Sequence, residues 1–446
     1  MLENNIKRGP DTDLPGGLTH EGSRRAVLVG ARKNDISEDD FIIGMDELAG
    51  LCRALMIEPV GEVVQNIVKE DPATCIGSGK VEEVREVLED KGADLAVFNN
   101  TLSPAQMNNL ADALDAEVLD RTGLILNIFT ERARSREARL QTDYAHLKYM
   151  LPRLVGLRKN LGRQGGTGGS MSNKGSGEKA IELDRRKIEK EMAALRRELS
   201  DVSRIRTEQR KKRSASGLPL VALVGYTNAG KSSLMNRLLN DFGADNEKNV
   251  YTADMLFATL DTSVRRIEPE GRRPFLLSDT VGFINDLPTD LIQAFRSTLE
   301  EALYADVLVD VVDVSDPNFR MHMDVTAQTL KDLGAGDIPI IHVMNKAELI
   351  SGDYPRVSGD RIYLSVKNNM GLGLLLDAIE DILSAGNTVY NFAVPYADSG
   401  VEGILRKEGV VRALSYDADA IHITAEVKPE TAGRLKKYIV EEKNNV

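Results

Sequence analysis

The chain has 446 residues, 42% of them hydrophobic and 28% charged, with a formal net charge of −12. That is the balance of a globular protein of two to four domains, not of a disordered chain. No apolar run reaches the about 18 residues that a transmembrane helix needs, and the polar, proline-containing start lacks the apolar centre of a signal peptide.

Residues 1–22 are expected to form a flexible tail. Residues 23–130 should fold as an N-terminal α/β domain. RRAVLVG (24–30) reads as a strand, 38–57 as a helix, VGEVVQNIV as a strand, 80–91 as an amphipathic helix and DLAVF (94–98) as a third strand. Residues 103–114 start as a capped helix with Pro104 in its first turn. Strands alternating with helices imply a mainly parallel sheet. Cys52 and Cys75 sit in apolar contexts with no histidine at metal-ligand spacing, which reads as two reduced thiols of a cytoplasmic protein. Five histidines without a cluster argue against a zinc enzyme.

Over 131–216 the chain turns basic and helical. Between 131 and 213 there are 23 lysines and arginines against 11 acidic residues, inside an otherwise acidic protein. Such asymmetry points to a localised surface for polyanions. Leu140, Leu147 and Leu154 are seven apart, with Tyr144 and Leu151 in the same stripe. Ile181, Ile188, Leu195 and Val202 are also seven apart, with Met192, Leu199 and Ile205 beside them. The two stripes predict an antiparallel coiled-coil hairpin; two helices packed on separate domains are the alternative. The joint, 156–177, holds eight glycines and no acidic residue, and its charges are Arg158, Lys159, Arg163 and Lys174. Glycine lets the backbone approach a surface and the cations would meet phosphates, so this tip is expected to touch RNA. The plainer alternative is a linker that touches nothing.

RKKR (210–213) and SASG close this segment. Residues 217–387 alternate strand and helix as a doubly wound α/β nucleotide-binding domain. Residues 388–446 read as a small α+β C-terminal domain, with strands over 404–414 and 420–427 and a helix over 429–441.

After the apolar run LPLVALV comes GYTNAGKS: Gly225, Tyr226, Thr227, Asn228, Ala229, Gly230, Lys231 and Ser232, followed by Ser233 and an amphipathic helix. This is the phosphate-loop pattern. Gly225 and Gly230 let the loop wrap with its N–H groups inward, and Lys231 can neutralise the β- and γ-phosphates. Ser232 can place a hydroxyl on Mg²⁺, and the helix N-terminus adds partial positive charge. LLSDTVG then supplies Asp279, Thr280, Val281 and Gly282: Asp279 can hold Mg²⁺ through a water, and the Gly282 N–H can meet the γ-phosphate. Thr259 is the leading candidate for a threonine that closes on the ion, with Thr252 and Thr262 as alternatives. IPIIHVMNKAE ends in Asn345, Lys346 and Glu348, where Asn345 would meet the edge of a base, Lys346 lie over its ring and Glu348 accept from guanine. Ser365, Val366 and Lys367 follow a last strand and could support the base. In this order the motifs describe one GTP- and GDP-binding switch domain.

Three positions set further expectations. Phe283 stands where many signalling GTPases carry a water-orienting glutamine, so intrinsic hydrolysis should be slow unless a partner or cation completes the site. Glu348 stands where aspartate is usual, and its extra methylene loosens the fork that tells GTP from ATP. Asn228 is a candidate K⁺ ligand; the alternative is that it simply suits the loop geometry.

GYTNAGKS, LFATLD and DTVGFI together resemble HflX, a family of ribosome-associated GTPases related to the Obg group. GSGEKAIELDRRKI (175–188) is similar to that family's glycine-rich turn into its long helix, and the likeness covers about residues 24–390. The resemblance implies an N-terminal α/β domain, a helical hairpin, a G domain and a small C-terminal domain. It implies a cytoplasmic GTPase, expected to be monomeric, that binds the large ribosomal subunit and ribosomal RNA through the hairpin. It further implies nucleotide-dependent splitting or rescue of stalled or idle ribosomes under stress. Asn173, Lys174 and Ser176 stand where the family's tip carries arginine and proline. An RNA-binding assembly or hibernation factor that uses GTP as a switch with little hydrolysis is the second reading. A metabolic phosphotransferase fits poorly, because it would need a second substrate pocket rather than the DTVG and NKAE motifs.

Overall fold

The computed structural model describes residues 24–153, 173–243, 257, 260, 263–285 and 296–440. The 1–22 tail, Leu154, and Arg158, Lys159 and Arg163 of the tip lie outside the described residues, as do the side chains of Lys174 and Ile181. The chain forms two compact units, Met1–Leu124 and Ile125–Val446.

The first unit is a four-stranded sheet in the order β2-β1-β3-β4, with β1 Arg25–Lys33, β2 Glu58–Ile67, β3 Leu95–Phe98 and β4 Glu117–Asp120, all parallel. Central strands of such a sheet are covered on both faces, which is why Leu95–Phe98 is buried throughout. Helices α1 (Glu38–Ala54), α2 (Ser78–Lys91) and α3 (Pro104–Leu114) form the crossovers. The start of α3 follows from its sequence: the Ser103 hydroxyl accepts from the Gln106 N–H, the Gln106 side chain accepts from the Ser103 N–H, and Pro104 needs no donor there. The short strand β4 and helix α4 (Arg121–Arg132) were not expected; EVLD is only four residues long and offers only one buried face.

In the second unit, α5 (Arg136–Met150) runs against α6, one helix of 44 residues from Asn173 to Ser216. Leu147, Ile188 and Met192 are buried together, with Tyr144, Leu151 and Leu195 packed against them. Arg136 meets Glu198 at 2.9 Å and the Arg196 Nε donates to the Tyr144 hydroxyl at 2.7 Å. Partners climb one helix as they descend the other, so the pair is antiparallel. Three expectations are corrected. Ile205 is 52% exposed, because the inward stripe steps by four from Val202 to Arg206, whose guanidinium meets Glu137 at 2.8 Å. The helix already begins at Asn173, inside the 156–177 segment expected to be a loop, and it continues through SAS to Ser216. A glycine inside a helix costs about 1 kcal/mol, which the long packed continuation offsets.

The root of α6 is tied to the nucleotide-binding domain. Arg210 faces Glu300 at 3.6 Å and Glu301 at 3.5 Å and lies 4.3 Å from the Tyr304 ring centroid; α8 (Arg296–Leu303) carries the two carboxylates. That domain is a seven-stranded sheet in the order β10-β11-β9-β8-β5-β7-β6. Its centre is β5 (Leu220–Val224), β7 (Phe275–Asp279), β8 (Val307–Asp313) and β9 (Ile340–Asn345), all parallel; β6 (Ser263–Ile267) and β10 (Arg356–Ser358), beside β11 (Arg361–Tyr363), pair antiparallel. Helices α7 (Lys231–Phe242), α9 (Phe319–Leu333) and α10 (Leu372–Leu383) complete the doubly wound layer.

The C-terminal part is a three-stranded antiparallel sheet of β12 (Thr388–Pro395), β14 (Ala420–Val427) and β13 (Gly409–Tyr416), covered by α11 (Gly400–Glu408) and α12 (Pro429–Arg434). The expected strand over 404–414 is therefore half helix. Val401 and Leu405, four apart, are the residues buried, so the helical period wins there. Gly409 follows that helix in extended backbone, and a Cβ there would come 2.3 Å from the Glu426 carbonyl oxygen. The helix expected over 429–441 stops at Arg434 and resumes only as a short turn at Lys436–Tyr438, and β12 was not expected at all.

Candidate functional site

The strand β5 ends on the phosphate loop. Gly225 has φ 131° and a Cβ there would stand 2.3 Å from the Val311 carbonyl oxygen; Gly230 has φ 100° and a Cβ would meet the Asn345 amide at 2.4 Å. No other residue type fits either position. Asn228 has φ 60°, a left-handed backbone that asparagine tolerates, and it is exposed. Lys231 is buried, and its Nζ donates to the carbonyls of Gly225 at 3.0 Å and Tyr226 at 2.7 Å. Burial pushes this ammonium down to about 8, against the opposing pull of Asp279 and Asp310. The Ser232 hydroxyl donates to the Asp279 carboxylate at 2.6 Å. Ser233 points to solvent. The Thr280 hydroxyl donates to the Leu223 carbonyl at 2.7 Å, so this residue positions β7 against β5 instead of facing the loop.

The DTVG segment leans on the loop. The Thr227 N–H donates to the Phe283 carbonyl at 2.8 Å and the Phe283 N–H to the Gly225 carbonyl at 3.2 Å. Gly282 lies so close that a Cβ would be 2.8 Å from the Thr227 Cα and 3.1 Å from the Lys231 ammonium. Val281 and the Phe283 side chain are buried. The Tyr226 hydroxyl accepts from the Asn285 N–H at 2.8 Å, while its ring stacks on His322 with centroids 3.9 Å apart.

Asn345 links the base-reading motifs to the loop. Its amide donates to the Ala229 carbonyl at 2.9 Å and its oxygen accepts from the Val366 N–H at 3.2 Å. Lys346 is left-handed, φ 61°, with its ammonium 2.6 Å from the Asp313 carboxylate. Ser365 is fully buried and its hydroxyl accepts from the Asn368 N–H at 3.1 Å, whereas Lys367 is exposed. One carboxylate oxygen of Glu348 is buried and has no hydrogen-bond partner among the described residues. A buried acceptor without a donor is costly, so its presence fits a ligand that brings N–H groups. Thr259, Thr252 and Thr262 lie outside the described residues.

Two features escaped sequence reasoning. Phe257, φ 55°, is buried, donates its N–H to the Thr227 hydroxyl at 2.9 Å, and meets Phe129 of α4 edge-on with centroids 4.8 Å apart. A bulky residue in left-handed backbone is rare, and only this double anchorage explains it. The second is the pair of buried Asp310 and half-buried His342 behind the loop, the His342 Nδ1 lying 2.9 Å from the Asp310 carboxylate. Its only sequence signal is a polar residue in each of two strands that otherwise read as core.

The comparisons agree with this arrangement over most of the chain. Family models described as GTP-binding GTPase N-terminal, GTP-binding GTPase Middle Region and 50S ribosome-binding GTPase match residues 43–130, 132–213 and 220–346. The GTPase HflX of Caldanaerobacter subterraneus subsp. tengcongensis is 41% identical over 93% of this chain and 94% of its own length. The chain belongs to the HflX GTPase family. The HflX GTPase of Escherichia coli K12 is 34% identical over 90% of each chain. A solved GTP-binding protein from Sulfolobus solfataricus, in complex with GDP, superposes with a TM-score of 0.42 at 22% identity, covering 80% of this chain and 98% of that one. As an HflX GTPase the chain binds GTP and GDP through a P-loop domain and hydrolyses GTP. Among the described residues, no helix is long and apolar enough to cross a membrane.

Proposed function

We propose that this HflX GTPase binds the large ribosomal subunit through the basic hairpin and acts, under nucleotide control, in splitting or rescue of stalled or idle ribosomes. One observation carries the reading. An arm with 23 basic against 11 acidic residues is rooted, through Arg210, on the helix that follows the DTVG segment. A loop that reorders with the γ-phosphate is thus joined to the surface suited to RNA phosphates. The family model described as 50S ribosome-binding GTPase supports the same partner.

In the nucleotide site Lys231 would exchange the loop carbonyls for β- and γ-phosphate oxygens, and the N–H groups of 228–232 would cradle the phosphates. Ser232 and Asp279, two oxygen donors already within hydrogen-bond reach of each other, suit a hard cation and would hold Mg²⁺, with Thr259 completing the set. Mg²⁺ there would offset charge on the phosphates. Gly282 would meet the γ-phosphate, and Asn345, Lys346, Glu348 and Ser365 would hold the base. Asn228 is the proposed K⁺ ligand, and equal turnover in K⁺ and Na⁺ buffers would rule that out. The test of the main reading is sedimentation with ribosomes in GTP, GDP and a non-hydrolysable analogue. Nucleotide-dependent co-sedimentation with the large subunit is expected, and its absence overturns the reading.

A second reading, an RNA-binding assembly or hibernation factor that hydrolyses little, is favoured by Phe283. This residue is buried, bound to the loop by its backbone, and has no group to orient water. Turnover unaffected by added large subunits would select it.

A further inference from the structure

Asp310 is an anomaly. It sits in the middle of β8, 1% exposed, between β5 and β9, in register with Val224 on one side and His342 on the other. One carboxylate oxygen lies 2.9 Å from the His342 Nδ1. The other has no hydrogen-bond partner among the described residues, and it would be 3.1 Å from a Cβ on Gly225. A half-satisfied carboxylate in a hydrophobic sheet costs stability, and a methyl-bearing residue would pack there without that cost. Its second oxygen points at the first residue of the phosphate loop, whose carbonyl holds the Lys231 ammonium at 3.0 Å.

We propose that Asp310 and His342 form a proton-linked charge behind the phosphate loop, and that this charge sets how tightly the loop holds the nucleotide's phosphates. The two groups titrate as one unit. With one shared proton the pair is neutral; once that proton is lost it carries a full negative charge in a dry site. A negative charge behind the loop opposes phosphates in front of it and competes with them for Lys231. Asp310 and His342 are therefore positioning residues: neither touches the nucleotide, and both act through the loop and Lys231.

The surroundings support the pairing. Asp310 faces His342 from β9, Lys231 from α7 and the Gly225 backbone from the end of β5. His342 faces Asp310 from β8 and, from the edge of β11, Asp360 and Arg361, the latter in register with it. The hydrogen bond to Asp310 raises the imidazole above its ordinary range, and burial raises the Asp310 carboxyl. Both shifts keep the shared proton on the pair to higher pH than an isolated histidine would. His342 keeps some solvent contact, with 18% of its side chain exposed, so the proton has a route in and out.

The sign follows from linkage. Phosphate binding favours the neutral pair, so nucleotide binding takes up a proton and affinity falls as pH rises past the pair's upper titration. A coupling of one pKa unit corresponds to about a tenfold change in affinity.

The experiment is fluorescence titration with mant-GDP and Mg²⁺ from pH 6.5 to 8.5, using the full chain. Asp310→Asn keeps the site neutral above the range of a free imidazole. It should bind tightly throughout and lose the part of the pH slope owed to the pair, about tenfold. His342→Gln can still donate to Asp310 but removes the imidazolium that neutralises the carboxylate. It should bind about tenfold more weakly than the parent at pH 6.5 and also lose the slope. The opposite shifts of the two variants are the diagnostic result, because a merely structural role would weaken both together. Equal pH slopes in all three proteins, or equal losses in both variants, would overturn the proposal. The inference rests on Lys231 as the phosphate ligand, which Lys231→Ala tests separately: unchanged affinity there would sink the ligand assignment itself.

Discussion

Replacing Glu348 by glutamine tests whether its buried, unpartnered oxygen is kept for the base. In the free protein that oxygen accepts nothing among the described residues, and the desolvation it suffers is uncompensated. Guanine offers two adjacent donors, N1–H and the exocyclic amine, which a carboxylate can accept side by side. Hydrogen bonds to a charged group are worth about 1.5–3 kcal/mol, so glutamine, which keeps one acceptor and turns the other oxygen into a donor, should cost GDP about 10- to 150-fold in affinity. The free protein should be no less stable, and relief of the buried charge should raise its unfolding free energy by up to about 1 kcal/mol. The assay is mant-GDP displacement by GDP and by IDP, which lacks the exocyclic amine, together with urea unfolding of both proteins. The parent should prefer GDP over IDP and the variant should lose most of that preference. GDP affinity within twofold of the parent, or an undiminished preference for GDP over IDP, would refute the reasoning.

Phe129 and Phe257 should prove coupled: in a double-mutant cycle to alanine, followed by urea unfolding, the edge-on contact should appear as about 0.5–1.5 kcal/mol of interaction energy. Additive losses would show that they do not support one another. Burial pushes both Cys52 and Cys75 up to about 12, so at pH 8 neither should react with a disulfide reagent until the protein unfolds, and labelling should follow the urea transition. Fast labelling of the native protein would contradict this. Replacing Arg158, Lys159 and Arg163 by alanine should weaken ribosome co-sedimentation and leave mant-GDP affinity unchanged; loss of both together would mean the tip is only structural.

Much of the nucleotide site was legible because each motif is local. The loop from Gly225 to Ser232 is contiguous, and its glycine positions are dictated by backbone geometry that only glycine adopts. The capped start of α3 was legible for the same reason, since Ser103, Pro104 and Gln106 complete one another within four residues. Where the sequence misled, two local patterns competed. Ile404, Val410 and Val411 let 404–414 read as one strand, yet Val401 and Leu405 are buried at helical spacing against the sheet. Ile205 fits a heptad reading, but Arg206 takes the inward place because Glu137 on the facing helix offers it a partner.

The sequence alone determined the class of site: a phosphate loop, a DTVG segment and a base-reading strand end, each specified by residues adjacent in the chain. Tertiary structure decided what surrounds that loop. Phe257 reaches it from between the motifs and packs on Phe129 from far upstream in the chain, while Asp310 and His342 come from separate strands. The physical reason is that burial and charge coupling depend on which strands become neighbours. Strand order places β8 beside β5 and β9 beside β8, and no spacing along the chain records it.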